Sequence, residues 1–349
     1  MNKANFLVGI LSGSHKQKRF SGDEPFFQNI QSELAKQNGL SYVFTPDAVG
    51  PQTINGYVFE NSEWKKKTFP YPEVVYNRLP SRKAENSQKM QTFFETLNQE
   101  QIPYFNPRFF NKWETYETLI ACPHLKISLP HSELLTDTEK AFAFLKKHAF
   151  IYIKPIGGKT GKGILSLISQ NENDFKVTTQ TRSKNLSANG VYRLFSTLLQ
   201  QSLNAHLLQQ GIHLNQWNGQ KYDFRVLLLK PQHEWKVIGI GVRAAAQHKI
   251  TTHTLRGGAI LPFEEIRPKA NVDALTSAAK QVAEALSKTY PLLRECSLDI
   301  GRDENGGFWL FEMNTKPMAF DEEHIENQRV IELCKTFRHL AHLRLAGIS

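Results

Sequence analysis

The segment CSLDIGRDENGGFWLFEMN, residues 296–314, constrains the fold of this sequence more than any other stretch. Two apolar runs flank an Asn-Gly-Gly turn signal, which predicts a β-hairpin. We expect one strand to end at Asp299 and its partner to end with Glu312 and Asn314. A carboxylate buried without a partner is costly, so these strand ends need a cation, a hydrogen-bond donor or open water. The hairpin therefore predicts a polar site at one end of a buried sheet.

The three oxygen-bearing side chains at these strand ends form a candidate metal site. Residues 312 and 314 point to the same face of an extended strand, and Asp299 on the paired strand converges on them. Two carboxylates and an amide oxygen suit a hard cation such as Mg²⁺, which prefers oxygen ligands. The alternative is that Asp299 and Glu312 are ordinary strand-end residues paired with Arg302, Lys316 or other cations.

A second polar feature is the glycine-rich stretch IKPIGGKTGKG, residues 153–163. Lys154 leaves a predicted strand just before a run of glycines and lysines, which are Gly157, Gly158, Lys159, Gly161, Lys162 and Gly163. Glycine lets successive backbone N–H groups approach a polyphosphate, and lysines offset its charge. The stretch lacks the Walker A spacing, because the required first glycine is missing before Gly158. A flexible hairpin turn is the alternative interpretation.

The remaining pattern predicts an α/β protein of two or three domains or lobes. The first hundred residues alternate short apolar runs with polar connections, as in a small α/β domain. Residues 150–245 are mostly strand-like and arranged in hairpins. A helical stretch with one apolar face precedes the 296–314 hairpin, and a final helix over 322–345 places Val330, Cys334, Phe337 and Ala341 on its inner face.

Charge and cysteine content limit the function classes. The chain carries 43 Lys and Arg against 33 Asp and Glu, a formal net charge of +10, which favours an anionic partner. That partner could be a nucleotide, a phosphorylated or polycarboxylate substrate, or nucleic acid, but the basic residues are too scattered to predict a DNA-binding stripe. Three widely spaced cysteines fit neither a disulfide framework nor a CxxC metal site. Apolar runs are too short for a signal peptide or membrane span, so we expect a cytoplasmic protein.

The order of these motifs resembles the ATP-grasp superfamily of carboxylate-amine ligases over roughly residues 105–320. The features that carry the resemblance are the lysine-proline strand, the glycine-rich loop, LLQQGI, DFR, GVRA, LRGG, Asp299 and EMN. With VVYNRLP, IPYFN, NKW, SLDIGRD and FWLFEMNTKP included, the whole chain is most similar to the endospore coat-associated YheC/YheD proteins. This resemblance implies an ATP-grasp fold with an N-terminal α/β pre-ATP-grasp domain at 1–108 and an ATP-grasp domain at 109–349. The latter would comprise a smaller nucleotide-covering lobe at about 125–208 and a C-terminal lobe at about 209–349.

The resemblance also implies roles for individual residues. Lys112 and Lys154 match the two lysines that contact phosphate oxygens, and the loop 157–163 would close over the β- and γ-phosphates. The hinge strand would hold adenine through the backbone of Gln209, Gln210 and Ile212. The implied Mg²⁺ ligands are Asp299, Glu312 and Asn314. The catalytic arginines facing the γ-phosphate or the substrate carboxylate would be Arg225 and Arg243, with Asp223 orienting Arg225.

The sequence departs from related ligases at two of these places. His253 stands where ligases that extend ribosomal protein tails carry Asn, and histidine titrates near neutral pH, so the positioning of the acceptor can differ here. In the hinge, Gln210 replaces a commoner Glu, which weakens any inference about contacts to the ribose.

The implied activity is an ATP- and Mg²⁺-dependent ligation of a carboxylate to an amine through an acyl phosphate, with one ion or two and Mn²⁺ as a substitute metal. The implied partners are small-molecule or peptide acids and amines, together with spore coat proteins. Synthesis in the mother-cell cytoplasm and later association with the coat would follow. One alternative is a non-catalytic, nucleotide-binding scaffold of the spore coat. A weaker one is a binder of acidic polymers or nucleic acid, motivated by the net charge.

Overall fold

The computed structural model describes residues 5–158, 161–201, 205–246, 250, 252, 258–267 and 270–347. The secondary structure over these residues forms three β-sheets with helices packed on them. None of the helices within these ranges is both long and apolar enough to cross a membrane.

The first sheet comes from the N-terminal part of the chain. Its elements are β1 (Phe6–Leu11), α1 (Glu24–Ala35), β2 (Gly39–Phe44), a 3₁₀ turn (Pro46–Ala48), β3 (Thr53–Glu60), β4 (Glu63–Pro70), β5 (Val74–Asn77), α2 (Arg82–Glu85), α3 (Gln88–Gln99) and β6 (Tyr104–Phe105). The strand order is β4-β3-β2-β1-β5-β6. Strands β2, β1, β5 and β6 are parallel, while β3 and β4 form an antiparallel hairpin. The alternating pattern of the first hundred residues therefore does form an α/β layer.

The second sheet is antiparallel throughout, in the order β11-β10-β9-β8-β12-β7. Helix α4 (Lys112–Ile120) precedes this sheet in the chain and packs in the core of the third sheet. The elements of the second sheet are β7 (Ser132–Leu134), α5 (Thr138–His148), β8 (Phe150–Pro155), β9 (Leu165–Ser169), β10 (Asp174–Thr178), β11 (Ser183–Ser187), α6 (Ala188–Gln200) and β12 (His206–Gln210). The side chain of Asp137 caps α5, whose apolar residues are spaced to bury one face. Phe142 and Leu145 of that face share a core with Phe195 of α6.

The third sheet is also antiparallel and carries the predicted hairpin. Its elements are β13 (Gln216–Trp217), β14 (Gln220–Leu229), β15 (Lys236–Ala244), β16 (Ala259–Leu261), α7 (Phe263–Ile266), α8 (Val272–Thr289), β17 (Glu295–Arg302), β18 (Phe308–Asn314) and α9 (Glu323–Leu345). The order is β16-β15-β14-β17-β18, with β13 paired to β14. The apolar face of α8 packs against this sheet through buried residues such as Leu275, Val282 and Leu286.

The final helix packs on the first sheet rather than only on the third. Its predicted inner residues Val330, Cys334, Phe337 and Ala341 are all buried in one core with Val8 and other residues of the first sheet. The two ends of the chain therefore share a hydrophobic core. The division of the chain at residue 108 remains a prediction, and this shared core shows that the C-terminal helix stabilises the N-terminal layer.

Alternating glycines in β15 allow the first turn of α9 to approach the third sheet closely. A Cβ atom at Gly239 would come within 2.6 Å of Ile325, and one at Gly241 within 2.5 Å of the Glu322 carboxylate. Any larger residue would push the helix away from the sheet. This close approach brings the segment that begins α9 onto the face of the sheet that holds the polar residues described next.

Candidate nucleotide and metal site

The β17–β18 hairpin brings the predicted carboxylates together. Asp299 lies directly opposite Glu312, and Asn314 lies opposite Ser297. Asp299 stands in the middle of β17 rather than at its end, because pairing with β18 continues to Arg302. Side chains at opposite positions of an antiparallel pair share a face, so Asp299 and Glu312 meet there by strand pairing and not because both strands stop.

Lys112 joins this pair of carboxylates from outside the sheet. It is the first residue of α4, whose N-terminus is capped by the side chain of Asn111. The Lys112 Nζ atom lies 2.9 Å from Glu312 Oε1 and donates to the carbonyl oxygen of Gly158 at 3.1 Å. Burial raises the pKa of Glu312, but the ammonium of Lys112, with Lys154 and Arg225, outweighs burial and holds this pKa below its ordinary value. Glu312 is therefore an ionised group that already attracts a cation.

Lys154 supplies a buried cation on the opposite wall. It lies on β8, is 9% exposed, and its Nζ atom donates to Gln209 Oε1 at 2.5 Å. Gln209 is itself held by a hydrogen bond from Nε2 to Ser132 Oγ. Burial lowers the pKa of Lys154 to about 8, because the charged form has lost its hydration. An anion placed beside this ammonium would restore the favourable interaction that burial removed.

The glycine-rich turn joins β8 to β9 above these lysines. Gly161 and Gly163 have φ angles of +67° and +78°, a conformation that other residues rarely adopt. Gly158 and Gly161 line the cavity described below, whereas the side chain of Lys162 is exposed. Gly157 also belongs to the turn, and Lys159 lies outside the described residues. Of the predicted turn residues, the structure brings Gly158 and Gly161 to the site, whereas Gly157, Lys162 and Gly163 are exposed and line neither cavity.

Two buried arginines complete the wall formed by the third sheet. Arg225 lies opposite Asp299 on one side and Gly241 on the other, and Arg243 lies at the end of β15. They are 5% and 4% exposed, and both guanidinium groups lie over the Phe320 ring, at 5.3 and 5.8 Å from its centre. The Nε atom of each is buried and has no hydrogen-bond partner among the described residues. These donors are available to an anionic ligand.

Asp223 lies closer to Arg243 than the sequence suggested. The two residues are directly opposite each other on β14 and β15, and Thr252 Oγ1 donates to Asp223 Oδ2. Burial, followed by the nearby Asp299 carboxylate, raises the pKa of Asp223 to about 7. The expected orienting role toward Arg225 is thus better suited to Arg243, because cross-strand neighbours are closer than residues two apart on one strand.

The hinge strand differs in detail from its expected use. The backbone N–H of Gln210 donates to the His131 carbonyl, and that of Gly211 donates to the Phe150 carbonyl. Strand β12 is flanked on both sides, so the amide N–H of Gln210 cannot also bind a base. Ile212 lies beyond the end of the strand and lines a cavity, which makes its backbone the better candidate for contact with adenine. The departure at His253 lies outside the described residues.

Two cavities meet at this site. The smaller, of about 140 Å³, lies between the second and third sheets and includes Tyr152, Ile212 and Arg243. The larger, of about 520 Å³, extends to the first sheet and includes Arg78 and Arg82. The side chains that line both are Lys154, Gln209, Arg225, Asp299, Phe311 and Glu312, together with Gly161. A ligand in the smaller cavity would therefore contact one in the larger at the paired carboxylates.

The oxygen atoms that could bind Mg²⁺ here come from two carboxylates and one amide. No cluster of three or more His, Cys, Asp or Glu side chains arranged to hold a metal occurs in the described part of the chain. Asp299, Glu312 and Asn314 supply oxygen atoms alone, which suits a hard cation that retains water or phosphate ligands. The short contact between the Lys112 ammonium and Glu312 is a direct observation that this position favours a cation.

Several residues of the site escaped the sequence interpretation. Tyr152 precedes Lys154 by two positions on β8 and shares its face, a signal that strand alternation could have given. Phe320 and Asp321 lie in an irregular segment, with Asp321 Oδ2 3.5 Å from Arg243 Nη2. Arg82 comes from the distant first sheet region. No local pattern indicates the last three, because only tertiary packing brings them to the site.

The fold is an ATP-grasp fold. D-alanyl-alanine synthetase A from Vibrio cholerae O1 biovar eltor str. N16961 aligns with a TM-score of 0.55 at 12% identity, covering 97% of this chain and 99% of that one. A RiPP-associated ATP-grasp ligase of Chryseobacterium gregarium, solved with ADP and a leader and core peptide, aligns with a TM-score of 0.53 at 13% identity. That alignment covers 94% of this chain and 95% of the ligase. At such identities these similarities show the fold alone.

The family follows from sequence similarity. The family model described as YheC/D like ATP-grasp matches residues 101–341. Endospore coat-associated protein YheD of Bacillus subtilis (strain 168) is 30% identical over 98% of this chain and 80% of the relative. The chain belongs to the YheC/D-like ATP-grasp family.

Proposed function

We propose that this protein is an ATP- and Mg²⁺-dependent ligase that joins a carboxylate to an amine through an acyl phosphate. The observation that carries the proposal is the convergence of Asp299 and Glu312, paired across two strands, with Lys112 and the buried Lys154. Two carboxylates beside two ammonium groups match a metal-bound polyphosphate, in which cation and anion are present together. Membership of an ATP-grasp family supports the same interpretation.

The nucleotide would occupy the smaller cavity. Ile212 would face the base, the glycine-rich turn would cover the phosphates, and Lys154 would contact phosphate oxygens from the second sheet. The Asp299 and Glu312 carboxylates with the Asn314 amide would hold Mg²⁺, and Lys112 would then move from Glu312 to a phosphate oxygen. Bound Mg²⁺ would offset negative charge on the phosphates and polarise the γ-phosphoryl group. Whether one ion or two binds belongs to the same proposal.

The chemistry would proceed in two displacements. A carboxylate oxygen of the acid attacks the γ-phosphorus of ATP and ADP leaves, which gives an acyl phosphate. The amine nitrogen then attacks the acyl carbon, phosphate leaves, and the nitrogen loses a proton as the amide forms. Arg225 and Arg243 would stabilise the transferred phosphoryl group through Nε donors that have no partner among the described residues, and burial strengthens each such contact.

The acid and the amine would bind in the larger cavity. Its volume of about 520 Å³ exceeds that of the nucleotide-side cavity, and it meets that cavity at Asp299 and Glu312. Apolar residues such as Phe109 and Met318 line it together with Arg78 and Arg82. This lining suits an acid that also carries apolar groups, such as a peptide. The Chryseobacterium gregarium ligase, solved in complex with a leader and core peptide, supports a peptide as one class of substrate.

A link to the spore coat is part of the proposal. It rests on the printed name of the YheD relative, which describes an endospore coat-associated protein. The protein would act in the mother-cell cytoplasm and then associate with coat proteins, either as their modifying enzyme or as a component.

The test is Mg²⁺-dependent ADP formation in a screen of amino acids and short peptides, followed by mass spectrometry of the product. We expect Glu312→Ala to reduce ADP formation by more than the roughly 10- to 100-fold typical of residues that only support a metal ligand. Glu304→Ala is the matched control, because Glu304 is an exposed carboxylate in the turn of the same hairpin.

Two results would contradict the proposal. Undiminished activity in Glu312→Ala would remove the metal assignment. Binding of Mg²⁺·AMPPNP without ADP formation for any acid and amine pair would instead favour a non-catalytic nucleotide-binding protein of the spore coat.

A further inference from the structure

The stretch VVYNRLP and the short helix α2 after it take no part in the nucleotide chemistry described above. Helix α2 comprises only Arg82–Glu85, and the side chain of Ser81 accepts a hydrogen bond from the Ala84 N–H at its start. It stands at the border between the first sheet and the larger cavity, which Arg82 lines. Its contacts reach two loops that belong to other layers of the molecule.

One end of α2 is fixed to the segment that follows the candidate metal strand. Glu85 is 5% exposed, and its carboxylate accepts a hydrogen bond from Lys316 Nζ and another from the Phe109 N–H. Lys316 also donates to Asn77 Oδ1 at 2.8 Å, and it lies two residues after Asn314. Because this ion pair is buried and its members have further partners, α2 cannot shift without disturbing the end of β18.

The other end of α2 reaches the glycine-rich turn. Arg82 Nη1 donates to the Gly157 carbonyl at 3.0 Å, and Nη2 donates to the Phe110 carbonyl at 2.5 Å. Its guanidinium lies 5.6 Å from the centre of the Phe109 ring. Within the described residues both hydrogen bonds of this guanidinium go to backbone carbonyls, and it forms no salt bridge with a carboxylate.

Gly157 lies in an open part of the turn. A Cβ atom at this position would meet no described atom within 4 Å. The neighbouring Gly158 carbonyl is held by Lys112. Under the proposed function Lys112 would turn to a phosphate when nucleotide binds. Arg82 would then be the remaining described cation that ties the turn to the substrate side of the site.

We propose that Arg82 is a positioning residue that holds the glycine-rich turn over the nucleotide from the wall of the larger cavity. Arg82 belongs to helix α2, and Glu85 of the same helix is bonded to Lys316, just after the end of β18. The position of the turn is thereby coupled to the wall that the acid substrate would contact. This inference rests on the proposed function for the identity of the ligand beneath the turn. The tether, which is the hydrogen bond from Arg82 to the Gly157 carbonyl, is a contact within the protein and does not depend on the ligand.

The test compares Arg82→Ala and Arg82→Lys with Lys83→Ala, an exposed residue on the same helix. Hydrogen–deuterium exchange of a peptide covering residues 156–165 reports the tether without nucleotide. Calorimetry with Mg²⁺·AMPPNP reports the covered site. We expect faster exchange and about tenfold weaker binding for Arg82→Ala, as for loss of one charge-assisted hydrogen bond. Arg82→Lys should restore part of both, since it keeps the charge but not the planar fork.

The outcomes separate this inference from the proposed function. Exchange in Arg82→Ala equal to that of the wild type and of Lys83→Ala would overturn the tether, whatever the nucleotide data. Wild-type protein that binds no Mg²⁺·AMPPNP would overturn the proposed function, while a change in exchange would still support the tether. Thermal unfolding of each variant checks that the exchange difference is confined to the turn, and global loosening of Arg82→Lys would also count against the proposal.

Discussion

Two clusters of buried charged groups in this molecule differ in how their charges are partnered. The first, called here the Glu295 cluster, comprises Tyr76, Arg78, Glu295, Glu326 and Arg329, and Arg78 Nη1 lies 3.7 Å from Glu295 Oε2 with no hydrogen-bond partner among the described residues. Glu295 Oε1 accepts from Arg329 Nε at 2.8 Å, its Oε2 accepts from the Tyr76 hydroxyl at 2.7 Å, and Arg329 Nη1 donates to Glu326 at 3.0 Å. Burial opposes the charge on Arg329, but Glu295 outweighs it and holds the pKa of Arg329 above its ordinary value.

The second region, called the arginine cluster, comprises Lys154, Asp223, Arg225 and Arg243. It contains three cations and Asp223, whose pKa is raised to about 7, chiefly by burial. Two further carboxylates border it: Asp299 lies opposite Arg225, and Asp321 Oδ2 lies 3.5 Å from Arg243 Nη2. The Nε atoms of both arginines are buried without partners in the described structure. Unsatisfied buried donors cost stability, and a protein retains them where a ligand completes them. The comparison indicates that opposite charges are paired in most of the Glu295 cluster, whereas the arginine cluster keeps two buried Nε donors without hydrogen-bond partners among the described residues.

The largest expected effect is a loss of stability when the Glu295 cluster is disrupted. Glu295→Ala should lower the free energy of unfolding by about 3–5 kcal/mol, because it leaves Arg329 buried beside a single remaining carboxylate. Urea denaturation measures this loss. The control is Glu323→Ala, because Glu323 is an exposed carboxylate at the start of α9, the helix that carries Arg329. A loss below about 1 kcal/mol, the value typical of exposed pairs, would show that the two regions do not differ as argued.

The next largest effect is a loss of nucleotide binding when a cation of the arginine cluster is removed. Lys154→Met should weaken Mg²⁺·AMPPNP binding by about 10- to 100-fold, the loss expected for one charge-assisted contact. Its free energy of unfolding should stay equal or rise, because a desolvated ammonium is replaced by an apolar side chain. Calorimetry and urea denaturation provide the two numbers, with Lys176→Met on the exposed face of β10 as control. Destabilisation comparable to that of Glu295→Ala would mean that Lys154 is a structural residue.

The smallest expected effect is a dependence of nucleotide affinity on pH that arises from Lys154 of the arginine cluster. Burial lowers the pKa of Lys154 to about 8, so above that pH this lysine is largely deprotonated in the ligand-free protein. It must then take up a proton before it can bind an anion as an ammonium group. Nucleotide affinity should therefore fall by about tenfold per pH unit above 8. The sign for folding is opposite: the unfolded chain keeps this proton up to the ordinary lysine pKa of 10.5, so the contribution of Lys154 to stability rises with pH between about 8 and 10.5.

Lys154→Arg separates these two pH effects from other titrations. Arginine stays protonated throughout this range, so the decline in affinity should disappear in this variant. Calorimetric titrations at several pH values, in buffers of different ionisation enthalpy, measure both affinity and proton uptake. A wild-type affinity that is flat from pH 7 to 10 would show that Lys154 is not the group that meets the phosphates.

Much of the fold followed from local pattern. The strand–turn–strand signal around residues 305–307, the strand before Lys154 and the inner face of α9 are all observed. These features depend on turn residues and on apolar periodicity, which neighbours in the chain determine. The predicted end of a strand at Asp299 was wrong, because the length of a strand depends on its partner, and β18 continues the pairing to Arg302.

The candidate site was predictable only where residues lie on regular strands. Asp299 and Glu312 could be named from the hairpin pattern and Lys154 from its place before the glycines. Lys112 was named only through the family resemblance. The use of the Gln210 N–H within the sheet could not be foreseen, because the flanking strand β7 is distant in sequence.

The sequence by itself determined the α/β class, Lys154 before the glycines and the paired carboxylates, because periodicity and turn chemistry act over a few neighbouring residues. The ATP-grasp fold and the role of Lys112 followed from the family resemblance. Tertiary structure alone decided which charges are matched. Glu295 pairs with Tyr76 and Arg329 across three layers, whereas the buried Nε atoms of Arg225 and Arg243 have no hydrogen-bond partner in the described part of the chain. The reason is physical: the stability of a buried charge depends on the partners within a few ångströms, and packing of distant segments sets those partners.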